Sequence, residues 1–120
     1  MKVRVYYEDT DLGGVVYYAN YLKFCERARS EIFFEKNLTP TFDNCHFVVK
    51  SIKADYFKPA KFADILEIKT EVLQIKKASL HLLQTIYKDE KEIFELEVEL
   101  VFVCGEKISK IPNEFINLFK

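Results

Sequence analysis

The stretch EIFELEVELVFV, Glu92–Val103, decides the fold class. Phe94, Leu96, Val98, Leu100 and Phe102 alternate with Glu95, Glu97 and Glu99 along it. A period of two puts the apolar side chains on one face of a strand and the carboxylates on the other. Strands of this kind build an antiparallel sheet with one wet face. Moving outward, ASLHLLQTIY (78–87) is apolar on both faces and reads as a central strand. ADILEIKTEVLQI (63–75) sets Leu66, Ile68, Thr70 and Val72 against Glu67, Lys69 and Glu71. HFVVKSIKADYF (46–57) has Val48, Ile52, Ala54 and Tyr56 in step. The links Lys76–Lys77 and Lys88–Lys91 are short enough for hairpins, although neither contains Asn-Gly. These four strands read as a meander.

Upstream, KVRVYY alternates with Val3, Val5 and Tyr7 on one face and reads as a first strand. From Tyr21 the period changes. Tyr21, Cys25, Ala28 and Ile32 form one stripe of a helix, with Lys23, Glu26, Arg27, Ser30 and Glu31 on the other side. Propensity puts the N-cap at Asn20, and Asn37 and Pro40 close the helix. Pro112 opens a short terminal helix whose apolar side is Phe115, Leu118 and Phe119. One helix covers only one face of a sheet. The expected class is therefore α+β, with a curled antiparallel sheet of about five strands around a single helix. The first and last strands are left as edges, and pairing of two copies edge to edge is a natural answer.

The chain of 120 residues fits one domain, 1–120. A net charge of −1 and a pI near 6.1 provide no overall field toward nucleic acid or anionic membrane. The N-terminus alternates and so does not read as a secretory signal, and no apolar run is long enough to span a membrane. Cys25, Cys45 and Cys104 are odd in number and widely spaced, and they read as reduced thiols of a cytoplasmic protein. Cys45 and His46 alone are too few ligands for zinc, so no metal is expected. His46 and His81 read as structural.

The chemistry points to Tyr6–Phe24, YYEDTDLGGVVYYANYLKF, where Glu8, Asp9 and Asp11 precede a glycine pair and a run of apolar and aromatic residues. YYEDTDLGGVVYYANYLKFCERARSE resembles the opening of the 4-hydroxybenzoyl-CoA thioesterase family, which has the hotdog fold. It is closest to the bacterial, Tol-Pal-associated branch of short acyl-CoA thioesterases. DYFKPAKFADILEI (55–68) resembles the same branch. The resemblance implies a long helix wrapped by the sheet and an acyl-CoA thioesterase without a cofactor. It also implies a homo-oligomer, dimer or tetramer, whose sites use residues of both chains.

By that resemblance the functional acid is Asp11, and Tyr7 lies near the site. The branch often carries His at the position of Tyr18. The 4-hydroxybenzoyl-CoA type carries Tyr there, and its role is to offer a backbone N–H to the thioester oxygen. The helix would then start near Tyr18. Gly14, Val15 and Val16 are expected to line the bound substrate. Lys58 and Lys61, and also Lys76 and Lys77, are candidates for the coenzyme A phosphates. Glu8 and Asp9 are expected to be surface residues. Asp11 would act as nucleophile or as general base, with helix N-terminal N–H groups receiving the oxyanion. A hotdog dehydratase pairs an acid with a His, and no His lies in or near this helix. The alternative is a non-enzymatic hotdog protein that binds acyl carrier protein or another complex.

Overall fold

The computed structural model describes residues 1–120. The strands are β1 (Lys2–Arg4), β2 (Thr41–Phe42), β3 (Cys45–Tyr56), β4 (Ile65–Ile75), β5 (Ser79–Lys88), β6 (Lys91–Cys104) and β7 (Lys107–Ile108). The helices are α1 (Asn20–Phe34) and α2 (Asn113–Ile116), with 3-10 turns at Tyr7–Asp9 and Asn117–Phe119. All strand pairs are antiparallel, in the order β1-β4-β5-β6-β3-β2, with β7 on β6. The sheet has seven strands instead of about five, because β2 and β7 are two residues each and too short to show alternation. The helix is also shorter than a long hotdog helix. Its 15 residues end where Asn37 turns to φ 59° and the Leu38 N–H reaches back to the Phe33 carbonyl at 3.0 Å.

Only β4, β5 and β6 form a meander. β3 crosses to the far side of β6, so the last long strand is interior and the edges are β1 and β2. β2 pairs only with Cys45 and His46, which leaves the outer edge of the remaining β3 open. Phe94, Leu96, Val98, Leu100 and Phe102 are all buried, as their alternation requires. They face Tyr21, Phe24, Cys25, Ala28 and Phe33 of α1 in one core.

Three expectations are corrected here. The register of β3 on β6 slips between Val49 and Ser51. Val48 therefore faces away from Ile52, Ala54 and Tyr56, because one extra residue inverts every later side chain. Tyr7 is not on the first strand. β1 stops at Arg4, and Tyr7 lies exposed in a 3-10 turn. Cys45 and Cys104 are joined in a disulfide. They are direct partners across β3 and β6, with Cα atoms 4.0 Å apart, although 59 residues separate them in sequence. The reduced-thiol reading holds for Cys25 alone. It is buried, and burial pushes its thiol up to about 12.

The core holds one polar network. Gln84, fully buried, donates from Nε2 to the Cys25 carbonyl at 2.9 Å and to Thr70 Oγ1 at 3.1 Å. Its Oε1 accepts from Arg29 Nη1 at 2.9 Å. This bonding ties α1 to β4 and β5 and leaves no buried amide atom without a partner.

Candidate active site

The acidic loop is built on Asp9. Its Oδ2 accepts the Tyr6 N–H at 2.8 Å. Its carbonyl accepts the Tyr17 N–H and Asn20 Nδ2, both at 2.9 Å. The side chain is not a surface acid as expected: the residue is 5% exposed, because these bonds draw it under the loop. From Asp9 the chain runs out and back. Thr10 pairs with Val16, and the Asp11 N–H donates to the Val15 carbonyl at 2.9 Å. The tip closes where the Gly14 N–H meets the Asp11 carbonyl at 3.0 Å, with Gly14 at φ +78°. A β-carbon on Gly13 would stand 3.2 Å from Asp11 Oδ1, so the first glycine makes room for the carboxylate.

Asp11 is exposed. Oδ1 accepts the Gly13 N–H at 2.8 Å, which fixes the carboxylate, while Oδ2 has no partner in the chain. The returning strand of the loop carries Tyr17 back over Asp9, at the start of α1. The Asp11 charge is felt there. The Tyr17 hydroxyl is raised above its ordinary range, first by the Tyr18 hydroxyl and more weakly by Asp11.

The expected N-cap at Asn20 is corrected: the cap residue is Ala19, with no side-chain cap bond. Asn20 is its first regular residue, and its side chain binds Asp9 instead of capping. Ala19 is already in the helical region, and the Asn20 N–H donates to the Tyr17 carbonyl at 2.8 Å. The winding therefore begins at Tyr18. The N–H groups of Tyr18 and Ala19 have no backbone acceptor. They carry the positive end of the helix dipole. The Tyr18 carbonyl is taken by the Tyr56 hydroxyl at 2.8 Å.

An open depression of about 1220 Å³ surrounds Asp11, and Tyr7, Glu8, Gly14, Tyr17 and Asn20 form part of its walls. Of the expected site residues, Asp11, Tyr7 and Gly14 are thus brought together. Tyr18 stands beside them, its ring 4.8 Å from that of Tyr17. Val15 is half-buried and paired with Lys61, which brings that lysine alongside the loop. Val16 is buried in the core, its N–H on the Ala60 carbonyl at 2.8 Å. Lys58 lies on the β3–β4 connection outside the walls, its N–H on the Ile93 carbonyl at 3.2 Å. Lys76 and Lys77 fall at the opposite end of β4, about 36 Å of strand away, and do not reach this site within the chain.

The sequence does not mark Tyr17, Asn20 or Tyr56 as site residues. Asn20 was visible as a cap signal. Tyr56 gave no signal except its place in an alternating strand.

A family model described as the Thioesterase-like superfamily matches residues 5–119. The chain is 55% identical to an acyl-CoA thioesterase, YbgC, of Helicobacter pylori, over 100% of this chain and 96% of that one. It is 39% identical to the acyl-CoA thioester hydrolase YbgC of Escherichia coli, over 92% of this chain and 84% of that one. Among solved structures, a probable thioesterase from Bartonella henselae superposes with a TM-score of 0.88 at 32% identity, covering 93% and 97% of the two chains.

Proposed function

The chain belongs to the Thioesterase-like superfamily, and from that premise we propose that it hydrolyses a small acyl-CoA thioester to the free acid and coenzyme A. One observation carries the reading. A carboxylate with one pinned and one free oxygen lies in a depression that Tyr17 and Asn20 also line, and between those two residues the Tyr18 and Ala19 N–H groups have no backbone acceptor. Thioester hydrolysis needs those two parts. Asp11 Oδ2 attacks the thioester carbon, or it takes a proton from the water that does. The carbonyl oxygen becomes an oxyanion and receives the Tyr18 and Ala19 N–H groups, which need no rearrangement. The C–S bond then breaks and coenzyme A leaves as a thiolate that takes up a proton. Where water attacked, the free acid is formed directly. Where Asp11 attacked, a water molecule then hydrolyses the mixed anhydride to the free acid and restores the carboxylate.

In this reading Tyr7, Tyr18, Gly14 and Val15 shape the acyl end of the site, Val16 backs it from the core, and Lys61 meets the coenzyme A phosphates as a point charge, with Lys58 reaching them from outside the depression. The working form is a homo-oligomer, a dimer or a tetramer of single-domain chains. What supports this is the open edge of β3, along which Val49, Ile52 and Tyr56 lie exposed on the helix-side face. An edge of that kind is a template for a second copy. An acyl-CoA substrate carries a cytoplasmic location with it. No helix is long and apolar enough to cross a membrane.

The test is coenzyme A release from a panel running from acetyl- to decanoyl- and benzoyl-CoA. At least one should reach kcat/KM of about 10⁴ M⁻¹s⁻¹, the low end for enzymes. No release above the buffer rate, together with tight binding of acyl carrier protein, would favour the non-enzymatic alternative.

A further inference from the structure

Resting on the thioesterase reading, we propose that Tyr56 is a positioning residue, whose hydroxyl aims the Ala19 N–H at the reacting oxygen. The argument starts with the planar peptide. In a trans unit the C=O and the following N–H point in opposite directions, so a bond that holds the oxygen also directs the N–H. Two peptide units lie at the open end of α1. The first, the Tyr17 carbonyl with the Tyr18 N–H, is held by the Asn20 N–H at 2.8 Å. The second, the Tyr18 carbonyl with the Ala19 N–H, would be held in a regular α-helix by the N–H of Leu22. That N–H goes to the Ala19 carbonyl instead, at 3.2 Å. The place it leaves is filled by the Tyr56 hydroxyl at 2.8 Å. Both units are thus pinned on the carbonyl side, with their N–H groups facing out.

Tyr56 is itself well held. Its ring meets Tyr21 edge-on at 5.4 Å and Phe94 at 4.9 Å. The Tyr21 hydroxyl is fixed in turn by the Ala60 N–H at 3.0 Å. Burial and the neighbouring tyrosine raise the Tyr56 hydroxyl above its ordinary range, so it stays protonated and able to donate at neutral pH. A donor on the carbonyl also polarises the amide and strengthens its N–H toward an anion.

Tyr56→Phe removes the donor and keeps the ring, so folding should be retained, as a melting curve checks. On the best acyl-CoA of the panel kcat should fall about tenfold, less than the roughly 100-fold expected on deleting an oxyanion donor outright. KM should stay within about twofold, since the bond acts on a charge that forms only in the transition state. A second readout separates aim from support. Tyr56→Phe should weaken a trifluoromethyl-ketone analogue of acyl-CoA, which binds as an oxyanion, about tenfold. A thioether analogue, which has no such oxygen, should change by less than about twofold. Equal weakening of both analogues, an unchanged kcat, or a variant that does not fold would each overturn the proposal. If the wild-type protein hydrolyses no acyl-CoA, the thioesterase reading fails and this inference falls with it. If the wild type is active and Tyr56→Phe matches it, only the inference fails.

Discussion

The two ends of α1 use the same kind of residue for opposite purposes. At the C-terminal end Phe33 packs on Phe115 at 5.1 Å, Phe119 at 5.8 Å and Phe47 at 6.1 Å, and the last carbonyls are closed by the turn at Asn37. At the N-terminal end Tyr7, Tyr17 and Tyr18 stand exposed, and two N–H groups have no backbone acceptor. Aromatic content alone does not tell a sealed end from a working one. In the proposed reading the backbone does, because unpaired N–H groups at a helix start are able to receive an anion.

The comparison breaks most visibly at Phe33. Phe33→Ala should cost about 3–5 kcal/mol of stability, read by urea unfolding, while the folded fraction keeps its activity. If activity falls in step with packing, the two ends are not separable. Next is Gln84→Leu, between the ends. It leaves Arg29 without its acceptor and the Cys25 carbonyl without its side-chain donor, and should cost about 1–3 kcal/mol in the same experiment. A neutral result would mean that water replaces the amide.

Smaller effects sharpen the open end. Tyr18→Phe should lower kcat by less than about threefold, because the backbone N–H stays in place, whereas a direct acid or base role would cost about 100-fold. The smallest effect concerns pH. Burial pushes Asp64 up, but the Lys61 N–H and the Lys88 ammonium, 2.9 Å away, outweigh it and hold the carboxyl below its ordinary range. A depressed folded value adds stability that is complete above the ordinary range of about pH 4, and is lost as pH falls through the lower value. The melting-point deficit of Asp64→Asn, clear at pH 7, should therefore shrink to nothing in strong acid.

How much of this was legible follows from what periodicity can see. The faces of β4 and β6, the helical stripe and the Asn37 stop were all readable, since each is a local pattern. The slip at Lys50 was not, because an extra residue changes the phase without changing the composition. The Cys45–Cys104 pair was hidden by the crossover that puts β3 beside β6. Gln84 looked like one polar residue in an apolar run, and its partners come from three other positions. Asp9 shows the limit most plainly. As residue types, Asp9 and Asp11 cannot be ranked two positions apart. The ladder Thr10–Val16 turns one under the loop and the other out into the open.

That pair also provides the most direct test. Three variants, Asp11→Asn, Asp9→Asn and Glu8→Gln, are compared by kcat on the best acyl-CoA and by melting point. Asp11→Asn should lose at least about 100-fold in kcat, the low end for a positioned acid–base group, with an unchanged melting point and retained substrate binding. Asp9→Asn should melt lower and Glu8→Gln should not, and each should keep kcat within about tenfold, or roughly 1.4 kcal/mol. A folded Asp11→Asn protein that turns over thioesters at near the wild-type rate would contradict the account.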